Sequence, residues 1–114
     1  MTITTAIKKA IEGGYKEPRK FTEWNIDKHK VKKMMLGDWS TSNGWSISIA
    51  NILLDPDFWE ALGKSMGWGY EEFGCGCKDF RRMKGQRKVW FGNWHRLIDH
   101  LASGKSIKSY FEEL

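Results

Sequence analysis

The residues best suited to chemistry lie in a basic segment from Lys78 to Lys88. Lysine and arginine neutralise phosphates, and aromatic side chains offer stacking surfaces to unpaired bases. The same residue types also suit an acidic groove on a protein, because arginine and aromatic residues dominate protein hot spots. A solvated basic loop in front of a core helix is the third interpretation. The predicted contact residues are Lys78, Phe80, Arg81, Arg82, Lys84, Arg87 and Lys88.

A metal site would need Cys75 and Cys77 together with His95 and His100. Structural zinc favours cysteine and histidine in short pairs, but the usual cysteine pair has two to four intervening residues and this one has a single residue. The two histidines are five residues apart, which places them about 140° apart around a helix. We therefore expect no bound metal and no cofactor.

A nucleophilic site would need one of these thiols beside His95, with Asp99 orienting the ring from the next helical turn. Glycine on both sides of Cys75 gives no rigid support to a nucleophile. No Walker loop, dinucleotide fingerprint or calcium loop is present, and helix capping explains Asp55 and Asp57. We therefore expect no catalysis, and a metal- or thiol-dependent enzyme is the third functional alternative.

The composition of the 114 residues predicts one domain, residues 1–114, with a real but modest core. The net charge of +5 favours acidic partners. No secretory signal and no long apolar run is visible, so we expect no membrane partner and a cytoplasmic location. The single residue between the cysteines disfavours a disulfide. The oligomeric state stays open.

Hydrophobic spacing predicts a first helix that begins at the N-terminal threonines and ends at Gly13-Gly14. Residues 15–44 are ambiguous, since Lys28 to Lys33 surround apolar residues in a pattern that fits a short helix or a strand and turn. The period of two from Trp45 to Ile49 favours a strand, although helical spacing also fits.

A second helix is predicted after Asp55, with Pro56 at its first position and Gly67 at its end. Glycines make residues 67–88 irregular, with the basic segment as an exposed loop. Spacing from Trp90 to Leu101 predicts a third helix that Gly104 ends, and Ser106 caps a last one.

Together these elements predict an α+β, mostly α fold, with three or four helices around one core. A small two- or three-stranded sheet, if formed, would come from residues 20–50. The predicted core residues are Trp59, Leu62, Trp94, Leu97, Ile98, Leu101 and Phe111.

Two segments of the chain resemble a group of small uncharacterised bacteriophage and prophage proteins. The first is Leu53–Lys64 followed by Trp68, and the second is Trp94–Leu101 followed by Gly104-Lys105 and Tyr110-Phe111. The resemblance covers about half of the chain, and residues 69–88 depart from it. It transfers no functional residue. It implies a setting in a bacterial host cell, where small phage proteins are often accessory factors.

The function expected from the sequence is a small, non-catalytic, phage-type accessory protein. It would bind, and inhibit, a host or defence-system protein such as a nucleic-acid-handling complex. The alternative is direct nucleic-acid binding through residues 78–88.

Overall fold

A computed structural model describes residues 1–16, 47–72 and 78–114, and these residues form an α+β, mostly helical fold. The predicted fold class is therefore confirmed. In chain order the described elements are α1 (Ile3–Glu12), α2 (Ile47–Leu53), α3 (Pro56–Met66), β1 (Gly69–Glu72), β2 (Lys78–Lys84), β3 (Arg87–Gly92), α4 (Trp94–Ala102) and α5 (Ile107–Glu112).

Helix α1 packs against α3 along its apolar stripe, where Ala6 and Ala10 are fully buried. The side chain of Thr2 accepts the backbone N–H of Thr5 and so caps the first turn. A Cβ at Gly13 would lie 2.1 Å from the carbonyl oxygen of Ala61. Glycine at this position therefore permits the close approach of the two helices.

Helix α3 begins and ends as predicted. The carboxylate of Asp55 accepts the backbone N–H of Asp57 at 3.0 Å, and Pro56 occupies the first turn. Gly67 ends the helix in the left-handed conformation with φ 72°. Trp59 is 1% exposed, and its indole N–H donates to the carbonyl of Leu53 at 2.8 Å.

The strand predicted from Trp45 to Ile49 is wrong where the structure describes it, because residues 47–53 form α2. The helical alternative is the one that forms, because a helix buries Ala50 and Leu53 completely on one face. Trp45 and the ambiguous residues 17–44, including Lys28 to Lys33, lie outside the described residues.

The described sheet comes from residues 69–92. Of the range 20–50 predicted for a sheet, residues 47–50 are helical and the rest lies outside the described residues. The described strands are antiparallel in the order β1-β2-β3. Tyr70 faces Phe80 in the first pair, and Arg82 faces Val89 in the second, with a bulge between Phe80 and Arg81. The prediction of an irregular basic loop at residues 78–88 is therefore wrong.

The two C-terminal helices form as predicted, with one correction at the start of α4. The spacing places Trp90 on its apolar stripe, but Trp90 belongs to β3, and α4 begins after Asn93, whose side chain caps it. Ser106 caps α5 through the backbone N–H of Ser109. The predicted core residues lie in or against one buried cluster, with Ile98 only half-buried.

In the described parts of the chain, none of the helices has the length and apolar character needed to cross a membrane.

Candidate functional site

The basic segment forms a hairpin, β2–β3, that closes through the two residues Gly85 and Gln86. Gly85 has φ 65°, and no residue other than glycine has a positive φ in the described chain. A glycine with positive φ at the first turn position, followed by a residue with negative φ, fits a type II′ turn. This turn joins two directly paired antiparallel strands, with Lys84 opposite Arg87.

Phe80 anchors the base of the hairpin to the helices. Its side chain is 3% exposed. A Cβ added at Gly63 of α3 would lie 2.3 Å from the Phe80 ring. A Cβ added at Gly92 of β3 would lie 2.4 Å from the Cβ of Phe80. Glycine at both positions thus leaves room for the Phe80 side chain. The sequence predicts Phe80 as a contact residue, but the structure covers it.

An ion pair between buried Asp79 and half-buried Arg96 anchors the same end of the hairpin. The guanidinium of Arg96 on α4 donates to both carboxylate oxygens of Asp79, the shortest of the three distances being 2.7 Å. This hydrogen bonding raises the pKa of Arg96. Next to it, the side chain of Asn93 donates to the carbonyl of Lys78 at 2.6 Å. The base is therefore fixed by directional polar contacts as well as by packing.

The carboxylate of Glu60 neutralises Lys78, the first predicted contact residue. The Lys78 ammonium donates to it at 2.7 Å and lies 4.8 Å from the centroid of the Tyr70 ring. The hydrogen bond to Glu60 raises the pKa of Lys78. This cation therefore ties β2 to α3 and contributes little free charge.

Arg81 and Arg82 lie at the middle of the hairpin and also have partners. Arg81 is 3.8 Å from a carboxylate oxygen of Glu71 and lies over the Trp90 ring. Arg82 donates to the carbonyl of Glu113 and lies over the Phe91 ring. Both are half-buried, so each offers only part of its guanidinium to solvent.

The tip of the hairpin differs from its base. We define the tip as residues 83–88, all of which are exposed. Among the described ion pairs, none involves Lys84, Arg87 or Lys88. Met83, between two cations, is 58% exposed. The tip therefore combines three cations that enter no described ion pair with one flexible apolar side chain.

Strand register places four residues on one face of the hairpin: Arg81, Met83, Lys88 and Trp90. Arg81 faces Trp90 and Met83 faces Lys88 across the two strands, and alternation puts both pairs on the same side. Val89 and Phe91 lie on the opposite side and pack against the core. The first face is thus available for contact, and we call it the open face.

Both histidines of α4 make packing or hydrogen-bond contacts within the fold. The ring of His95 stacks on Trp94 with centroids 3.7 Å apart, and burial lowers its pKa. His100 contacts the hydroxyl of Ser109 at 2.8 Å. The described residues hold no cluster of three or more metal-ligating side chains. Cys75 and Cys77 lie outside the described residues.

Asp55 does more than the capping predicted for it. The carboxylate is fully buried and also accepts the hydroxyl of Tyr15 at 3.0 Å. Burial, together with the nearby charge of Asp55, raises the pKa of Tyr15. The pair joins the end of α1 to the start of α3, and the contact is structural.

A cleft of about 340 Å³ lies between the end of α1 and α3, beside this pair. Lys16 and Lys64 face it together with Asp57 and Glu60, so the cleft presents charges of both signs. It brings together none of the residues predicted for binding and favours no particular ligand.

The structure thus divides the seven predicted contact residues into two groups. Four are held at the base and middle of the hairpin, and three are presented at its tip. Sequence reasoning missed Met83, although its place between Arg82 and Lys84 was a signal once a strand had been assigned. No protein-family model, curated protein or solved structure matches the chain.

Proposed function

We propose that the chain is a small non-catalytic binding protein that docks the tip and open face of its β2–β3 hairpin on an acidic patch of another protein. The observation that carries this proposal is the combination at the tip of Lys84, Arg87 and Lys88, unpaired among the described residues, with exposed Met83. Arginine and methionine are enriched in protein interfaces, and the flanking Trp90 is a typical hot-spot residue.

The acidic surroundings of the hairpin favour a protein partner over nucleic acid. Glu71 and Glu72 on β1 are exposed beside the base, and Glu113 lies where Arg82 reaches the end of the chain. Lys78 and Arg81 pair with carboxylates and Arg82 donates to a backbone carbonyl, so the hairpin cations without any described partner are confined to the tip. A polyanion would meet about three cations there, fewer than the six to ten phosphate contacts of strongly salt-dependent DNA-binding proteins.

The resemblance to phage proteins supports the rest of the proposal, which is that the partner belongs to the host cell or its defence systems. Occupation of an acidic patch beside a functional site would inhibit such a partner by blocking access to that site. The charge of the tip fits this use, since acidic partners attract a basic ligand and speed its association.

Capture from a bacterial lysate, with and without nuclease, followed by kinetics on the purified partner, tests the proposal. We expect nuclease-resistant capture, and added salt should slow association more than it speeds dissociation. Direct nucleic-acid binding predicts instead a nuclease-sensitive complex whose affinity falls with a log–log salt slope of about −3 for three phosphate contacts. That result would replace the protein partner with nucleic acid.

A further inference from the structure

Among the described strands, β3 lies at an edge of the sheet. It pairs with β2 on one side, and no other described strand pairs with its second side. An edge strand presents a row of unpaired N–H and C=O groups to any extended chain that approaches. We infer that an extended acidic segment of the partner adds to β3 as a further strand, an inference that rests on the proposed function.

The hairpin turn decides which backbone groups of β3 face outward. In a β-turn the first carbonyl accepts the N–H of the fourth residue, so Lys84 pairs with Arg87. Hydrogen-bonded and non-hydrogen-bonded pairs then alternate along antiparallel strands. Arg87 and Val89 therefore point their backbone groups toward β2, while Lys88 and Trp90 point theirs toward the free edge.

The charges at the two edges of the described sheet favour binding of an acidic segment at β3. The opposite edge of the sheet, β1, carries Glu71 and Glu72, both exposed. The β3 edge begins with exposed Arg87 and Lys88, with Lys84 beside them. An acidic segment is therefore attracted to β3 and repelled by β1. The length of β3, six residues, is that of an ordinary strand.

Cross-strand pairing gives the pattern of the incoming segment. An antiparallel segment places one residue opposite Trp90 and, two residues later, another opposite Lys88 on the same open face. A β-branched residue suits the first position and a carboxylate the second. A further carboxylate at the next residue lies opposite Arg87 on the other face. The expected order is β-branched, any residue, acidic, acidic.

The test uses the full chain and the probe acetyl-Thr-Thr-Val-Thr-Glu-Glu-Thr-Thr-amide. On binding, the backbone amides of Lys88 and Trp90 should exchange hydrogen at least about tenfold more slowly. The amides of Arg87 and Val89, already paired with β2, should change little. Protection confined to any other part of the chain, or no binding of the probe, would overturn the inference.

Two N-methylated probes of equal composition give the matched control. Methyl groups on Val and the first Glu remove the donors that face β3, and methyl groups on the central Thr and the second Glu remove donors that face away. We expect the first probe to bind about tenfold or more weakly than the second. Equal binding of both would show that charge alone holds the peptide, which refutes strand addition and leaves the proposed function standing.

Substitutions in the protein, rather than in the probe, also distinguish strand addition from binding by charge alone. Lys88→Pro removes an outward N–H that the β2 ladder does not use, and Lys88→Ala removes the same charge with the N–H kept. We expect the proline variant to bind the probe about tenfold more weakly than the alanine variant. Retained exchange protection at Val89 shows that the hairpin is still folded. Equal binding by the two variants would contradict the inference and assign Lys88 only the role of deterring edge pairing.

Discussion

The base and the tip of the β2–β3 hairpin are built from similar residues and have opposite roles. At the base, Lys78 binds Glu60, Asp79 binds Arg96, and Phe80 fills the space left by two glycines. At the tip, Lys84, Arg87 and Lys88 are exposed and enter none of the described ion pairs. A cation contributes to the fold where a carboxylate is within reach, and is available to a partner where none is.

The largest expected contrast is between two apolar side chains of β2. Phe80→Ala should lower the free energy of unfolding by about 3–5 kcal/mol, because it empties a buried site. Met83→Ala should change it by less than about 0.5 kcal/mol, because that side chain is exposed. Urea unfolding of both variants measures the difference. Equal losses would remove the distinction between base and tip.

A smaller effect is expected from the glycine that faces the Phe80 ring. Gly63→Ala should cost about 1–3 kcal/mol, because the new methyl group overlaps the ring. In a Phe80→Ala background the same change should cost much less, and the double-mutant cycle measures this coupling. Independent, additive losses would mean that the ring does not occupy the space that the structure assigns to it.

The sequence predicted the helices well because their ends carry strong local signals. Asp55-Pro56 and Gly67 determine where α3 begins and ends through capping and backbone conformation, which few residues decide. Helical periodicity likewise identified the apolar faces around Trp59 and Leu97. The error at residues 47–49 arose where periods of two and 3.6 both fit a short apolar run.

The sheet was harder to predict because it depends on residues that meet only in the fold. Phe80 is buried by Gly63 and Gly92, and nothing in its neighbourhood along the chain shows that contact. The exposure of Lys78 and Arg81 was overestimated for the same reason, since their partners Glu60 and Glu71 are distant from them in sequence. Only Gly85-Gln86, between two basic β-forming runs, was a local signal of the hairpin.

Charge reversal at the tip tests whether Lys84, Arg87 and Lys88 form the docking surface. The variant combines Lys84→Glu, Arg87→Glu and Lys88→Glu. Its control reverses three exposed lysines elsewhere, Lys8, Lys16 and Lys105. Each set changes the net charge by three times two, from +5 to −1, so the pair separates position from total charge.

Equilibrium binding of the captured partner, measured for both folded variants, is the decisive readout. We expect the tip variant to lose at least about a hundredfold in affinity, or about 2.7 kcal/mol, while the control stays within about threefold of the wild-type chain. Binding by the tip variant as tight as that of the wild-type chain would refute docking through the tip, because the tip would then be only a solvated surface.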